Sequence, residues 1–245
     1  MAFTIYVPAD IPADEAARMR SLRASGLLGV GDVPAMQNII WGAALCTQQP
    51  IVGISIIDGS FQRLVATIGI DIAVTVRSTS FCAHAINTPG EIFCVADTFE
   101  DARFAGNPAV LEDPRIRFYA AAPLVMSDGR AGGALCVLGP TPRPCLSDAE
   151  GAELRRLARQ IVKLASAHKA SSRGDQSADE AACGHVHGAG LVRTAGLEPA
   201  LSGEADFKSA ASTDFATSAD RDSFYARQVR AASDVSSNDR APLTR

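Results

Sequence analysis

Asp58-Gly59-Ser60 and Ser127-Asp128-Gly129-Arg130 each interrupt a run of apolar and β-branched residues, and that arrangement narrows the fold more than any other feature of the chain. A short turn-forming phrase between two such runs is the signature of a β-hairpin. Ile51 to Ile57 is almost wholly apolar and reads as a central strand, with Phe61 to Gly69 as its partner. Apolar residues fall on both faces of that partner, so its facing stays open. Ile116 to Val125 and Ala131 to Leu138 form the second hairpin. Gly132 and Gly133 weaken its outgoing strand locally and point to a bulge or to close approach of a neighbouring backbone. A short strand is expected over Glu91 to Val95, followed by a polar loop from Asp97 to Pro108.

Helical periodicity brackets this β-rich middle. Over 13–26, Ala16, Met19, Leu22 and Gly26 share one face and Arg18, Arg20 and Arg23 lie mostly off it. Asp32 and Pro34 open a second helix with Met36, Ile39, Ile40 and Ala43 inward, and Pro50 requires that it has already ended. After Pro140, Pro142 and Pro144, Ser147-Asp148-Ala149-Glu150 reads as a capping box. It opens a helix whose stripe is Leu154, Leu157, Ala158, Ile161, Leu164 and Ala165. From Lys169 onward apolar periodicity is lost and Ser, Ala, Asp and Gly dominate. Such a segment buries too little apolar surface to offset its ordering entropy. The expected organisation is an extension over 1–12, a domain over 13–168 and a low-complexity, disordered tail over 169–245.

A net charge of −4 gives no nucleic-acid footprint. The longest apolar run, Ile39 to Cys46, falls far short of the roughly 20 residues of a membrane helix. Met1 to Asp10 has neither the basic nor the apolar region of a signal peptide. Six scattered cysteines without CxxC spacing read as reduced thiols of a cytoplasmic protein. No nucleic-acid or membrane partner is expected.

Ser80-Phe81-Cys82-Ala83-His84-Ala85-Ile86 places a thiol and an imidazole two residues apart on a short apolar helix. The ordinary reading is core packing, and the functional one is a pocket wall. Together with Asp97 and Asp101-Ala102-Arg103-Phe104-Ala105-Gly106-Asn107-Pro108, this phrase resembles one bacterial branch of the GAF domain family. Ile116 to Leu124, Gly133 to Val137, Pro142-Arg143 and Leu146-Ser147 extend the likeness over roughly residues 13–166. The resemblance implies an α+β fold, a central antiparallel sheet with flanking terminal helices. It implies a sensor of an unknown small molecule acting in signal transduction by protein contact. Implied partners are a second copy through the terminal helices, and a histidine kinase or diguanylate cyclase, since no output domain follows in the chain. No cofactor is named.

Within that resemblance the pocket candidates are Cys82, His84, Asp97, Arg103, Phe104, Phe118 and Tyr119. As strand neighbours, Phe118 and Tyr119 cannot both face one pocket. The bland roles are a strand-end turn or cap for Asp97, and a surface charge or a salt bridge to Asp101 or Asp97 for Arg103. Bilin-binding members have Cys directly before His, whereas Ala83 separates Cys82 from His84. The Asn-Lys-Phe-Asp-Glu set of cyclic-nucleotide binders is missing. A free-methionine-sulfoxide-reductase-like enzyme or thiol redox sensor would use Cys82 with Cys94, although neither has an evident cationic neighbour. Cys183-Gly184-His185-Val186-His187 lacks the four ligands of a structural zinc site. Val192 to Ala200 resembles peptides produced when a reading frame crosses a transfer-RNA gene, which marks the region past about 170 as an unselected extension.

Overall fold

The computed structural model describes residues 6–183. Its centre is a six-stranded, wholly antiparallel sheet in the order β3-β2-β1-β6-β5-β4. The strands are β1 (Ile51–Asp58), β2 (Phe61–Ile68), β3 (Val74–Val76), β4 (Phe93–Val95), β5 (Phe118–Val125) and β6 (Ala131–Gly139). Both expected hairpins form, turning at Gly59 and Gly129. β3 is an addition: the chain after β2 folds back to pair Val74 with Arg63 and Val76 with Phe61.

Helices α1 (Glu15–Ser25), α2 (Ala35–Thr47) and α5 (Asp148–Cys183) cover one face of the sheet, and the short helices α3 (Phe81–Ala85) and α4 (Pro108–Leu111) lie on the other. Two cores result. Val52, Ile54 and Ile56 of β1 point into the first, whereas Ile51 and Ile57 point into the second, as the two-residue period of a strand requires. β2 carries apolar residues on both faces because its register to β1 shifts between Ile54 and Ser55. Gln62 and Leu64 therefore face α3 and α4, and Ala66 and Ile68 reach the core under α2 and α5.

Gly133 meets the backbone of β1 so closely that a Cβ on it would lie 1.9 Å from the Ser55 carbonyl oxygen. Close backbone approach is one of the two expectations raised by the paired glycines. The capping box also forms: Ser147 N–H donates to Glu150 Oε2 at 2.8 Å and Glu150 N–H to Ser147 Oγ at 3.3 Å.

Three expectations change. Arg18 does not lie off the buried face of α1: it is 2 % exposed, and Ala16 is exposed instead. Its guanidinium is matched by Glu15 one turn earlier, at 2.7 Å, which removes the penalty that would otherwise keep it in water. Cys94 and Cys145 are disulfide-bonded, not reduced. β4 and the proline-rich exit from β6 bring their Cα atoms within 5.9 Å across 51 residues of sequence, a proximity that only tertiary structure creates. Finally, α5 continues past residue 168 to Cys183, through a run rich in Ala with no proline to stop it. The remainder of the expected tail, including His185, His187 and the Val192–Ala200 phrase, lies outside the described residues.

Candidate ligand cavity

The inner wall of the cavity is set by α3. Ser80 caps it, its Oγ accepting the Ala83 N–H at 3.1 Å, and this fixes the angle at which Cys82 enters the second core. Tyr119 on β5 points to the same place and donates its O–H to Cys82 Sγ at 3.0 Å, and Gln62 Nε2 on β2 lies 3.6 Å from that sulfur. Cys136 on β6 adjoins Cys82 and donates to the Gly53 carbonyl at 3.3 Å. The hydrogen bond with Cys82, and then burial, push the Cys136 thiol up, and burial pushes the Tyr119 hydroxyl well above its usual value. The same hydrogen bond, with Cys136, lowers the Cys82 thiol, and these groups form a hydrogen-bonded polar floor.

Between this floor and solvent lies a cavity of about 250 Å³. Leu64, Phe81, Ile116 and Leu138 supply apolar wall, and α4 closes the far side. Asn107 holds α4 in place: its Oδ1 accepts the Ala109 N–H at 3.0 Å while its Nδ2 donates to the Thr79 carbonyl at 2.9 Å, tying α4 to the entry of α3.

Of the seven candidates, Cys82 and Tyr119 line the cavity. Phe118 belongs to the opposite core, with the Arg143 guanidinium 5.1 Å from its ring, so the strand alternation resolves in favour of Tyr119. Phe104 is buried behind Phe81, with ring centroids 4.6 Å apart. Half-buried His84 sits edge-on to Phe104 at 4.8 Å, with its Nε2 3.1 Å from the Val7 carbonyl. Burial, and then the charge of Arg103, hold its imidazole below the usual histidine value. His84 thereby anchors the N-terminal extension, whose Val7 N–H donates to the Arg103 carbonyl at 2.9 Å. Arg103 pairs with Asp101 at 2.6 Å and lies over Phe93 and Phe104. Asp97 pairs with Arg117 at 2.6 Å and accepts the Phe99 N–H at 3.0 Å. Both charges thus take the structural roles that the sequence offered beside the functional ones.

Gln62, Asn107 and Cys136 went unnoticed as cavity residues. Gln62 looked like one polar step in an alternating strand, and nothing local tells that its neighbour across space is a thiol 20 residues on. The pairing of Cys82 with Cys94 is corrected, because Cys94 is bonded to Cys145 and the thiol beside Cys82 is Cys136. Among the described residues no cluster of three or more His, Cys, Asp or Glu side chains is placed to hold a metal, and no helix is long and apolar enough to cross a membrane.

The GAF domain family model matches residues 62–164, which run from β2 through the cavity elements into α5. A cyclic di-GMP phosphodiesterase of Pseudomonas aeruginosa is 42% identical over 151 residues, which are 62% of this chain and 26% of that protein, so the chain spans about a quarter of that relative's length. Among solved structures, the blue-light absorbing form of the Thermosynechococcus elongatus PixJ GAF-domain is 15% identical, covering 69% of this chain and 98% of its own with a TM-score of 0.48. The GAF domain from an Acinetobacter phosphoenolpyruvate-protein phosphotransferase is 18% identical, covering 63% and 95% with a TM-score of 0.46. The family match and an antiparallel sheet with helices on both faces together establish that this chain carries a GAF domain, a sensory module of signalling proteins.

Proposed function

We propose that the chain is a small-molecule sensor whose ligand occupies the cavity between the sheet and α3–α4, and that it signals by protein contact. The observation that carries this reading is the cavity itself. It is concave, mostly apolar, and has a few converging polar groups, Tyr119, Cys82 and Gln62, to orient a ligand. An engineered cavity of about 150 Å³ holds benzene, so about 250 Å³ suits a substituted ring or a branched chain of similar bulk and falls well short of a cyclic dinucleotide or a bilin.

The output side is the helical layer. α1 packs against α5, and Glu15 of α1 pairs at 2.6 Å with Arg77, three residues before the α3 cap. A ligand that displaces α3 acts on α1 through this link, and it biases signalling only by binding two arrangements of the helices unequally. α1 and α5 are the surface we assign to a second copy. A kinase, cyclase or cyclic di-GMP phosphodiesterase is the partner class, supported by the similarity to part of a phosphodiesterase. A cytoplasmic location suits such partners.

Thermal denaturation of the full chain in the presence of a panel of ring-sized metabolites tests the reading, since a ligand of the native state raises Tm. At least one compound should raise Tm in the wild type and lose its effect in Ala109→Phe, which fills the cavity from α4. A panel without effect, or an effect that survives the filling, would overturn the assignment.

A further inference from the structure

The charged residues that line the cavity are of one sign, with exposed Arg115 beside them outside the lining. The lining includes Glu112 and Asp113, both at the mouth, and no Lys, Arg or His. Neither carboxylate has an ion-pair partner among the described residues. Asp97, Asp101 and Glu15, which lie outside the lining, are each matched by an arginine. The two carboxylates are exposed on the stretch that follows α4, while the rest of the lining is mostly apolar, with Gln62, Thr79, Ser80, Cys82, Asn107 and Tyr119 among its polar groups and no cationic side chain.

An anionic ligand would have to pass two carboxylates and then lie in an interior with no cation to receive it. Desolvating a charge without a partner costs more than the few hydrogen bonds of the floor return. A cation on an apolar body meets the opposite situation. Its body displaces nothing charged, and its head stays at the rim, where water and two carboxylates solvate it.

We propose that the cavity takes a small organic cation, with an apolar body of about one ring seated against Leu64, Ile116 and Leu138 and an ammonium group held at the mouth by Glu112 and Asp113. This rests on the reading of the cavity as the ligand site and adds the chemical class of the ligand. It excludes nucleotides, phosphates and carboxylates as a class.

Three near-isosteric probes separate the two claims: 2-phenylethylamine, 2-phenylethanol and phenylacetate, titrated calorimetrically into the full chain at low and at high salt. The amine should bind tightest and the acid weakest, with a gap of about tenfold that narrows with salt, as expected for partly exposed charges. In Glu112→Gln/Asp113→Asn, a pair of surface changes, the gap should close with the affinity for the alcohol unchanged. If the alcohol binds and loses binding in Ala109→Phe, but the gap is absent or survives the double substitution, charge selection is overturned and the ligand site stands. If none of the three binds, or the alcohol binds Ala109→Phe as well as the wild type, the ligand-site reading falls and the proposal with it.

Discussion

Glu15 Oε1 lies 2.6 Å from Arg77 Nη1 and 2.7 Å from Arg18 Nη2, so one carboxylate serves two buried guanidinium groups on different elements. Arg18 belongs to α1, and Arg77 opens the turn that leads into the cap of α3. The helical layer and the cavity wall are therefore joined at a single acidic side chain.

Replacing that carboxylate strands two charges. Glu15→Gln should destabilise the domain by about 3 kcal/mol or more, the usual cost of breaking a buried ion pair by removing one partner, measured as a fall in the urea midpoint at pH 7. Burial alone pushes the Glu15 carboxyl up, but the hydrogen bonds and charges of Arg18 and Arg77 outweigh it and hold it at about 2, down from 4.5. A depressed carboxylate stabilises the native state fully above its unfolded value and loses that contribution as it protonates. The stability difference between wild type and Glu15→Gln should thus be constant above about pH 4.5 and disappear between there and about pH 2. A difference that persists at the acid end would show that the carboxylate is not the stabilising group.

Gly133→Ala tests the close approach of β6 to β1. A methyl group there would overlap the Ser55 carbonyl, and the backbone contact cannot give way as a flexible side chain would. The variant should lose several kcal/mol, as expected for overpacking at a rigid contact, or fail to accumulate as folded protein. A urea midpoint within error of the wild type would contradict the register that pairs Gly133 with Ile56 and Ala134 with Ser55.

The Cys94–Cys145 bond closes a loop of 51 residues, for which the chain-entropy model gives about 4 kcal/mol. Cys145→Ser should lower the urea midpoint by a corresponding amount under oxidising conditions and leave it unchanged in the presence of a thiol reductant, where the wild type falls to meet it. Intact mass should drop by two hydrogens on oxidation of the wild type and not of the variant.

Tyr119→Phe removes the hydroxyl that donates to Cys82 Sγ and keeps the ring that stacks on Phe81 at 5.1 Å. Stability should change by about 1 kcal/mol, because the sulfur is a weak acceptor and retains Gln62 and Cys136 as neighbours. Ligand affinity should move more than stability does if the floor orients the ligand. A fall in affinity no greater than the loss in stability, read by calorimetry beside denaturation, would make Tyr119 a packing residue only.

What could be read from the sequence is what local chemistry decides. Asp-Gly turns, a Ser-x-x-Glu capping box and the alternation of Phe118 with Tyr119 act over a few residues, and each reappears in the structure. Arg18 escaped because a charge on a helix face normally belongs to solvent, and although its partner Glu15 lies one turn away, the packing of α1 on β6 that buries the pair exists only in the tertiary structure. β3 escaped because Val74-Thr75-Val76, though β-branched and alternating, is too short a run to mark a strand without its pairing to β2. The cavity is the extreme case. Its floor draws on α3, β2, β5 and β6, so Cys82 could be singled out from its phrase, but Cys136 and Gln62 became its neighbours only through the sheet order.

The central claim is that the space beneath α3 and α4 is a ligand site. Native mass spectrometry of the full chain, purified without denaturation, tests it most directly. The account predicts a protein ion carrying one small molecule of a mass fitting about one substituted ring, lost on mild activation and missing from Ala109→Phe. Wild-type chain that carries no such molecule, and acquires none from a small-metabolite extract while the Ala109→Phe spectrum is indistinguishable from it, would contradict the account.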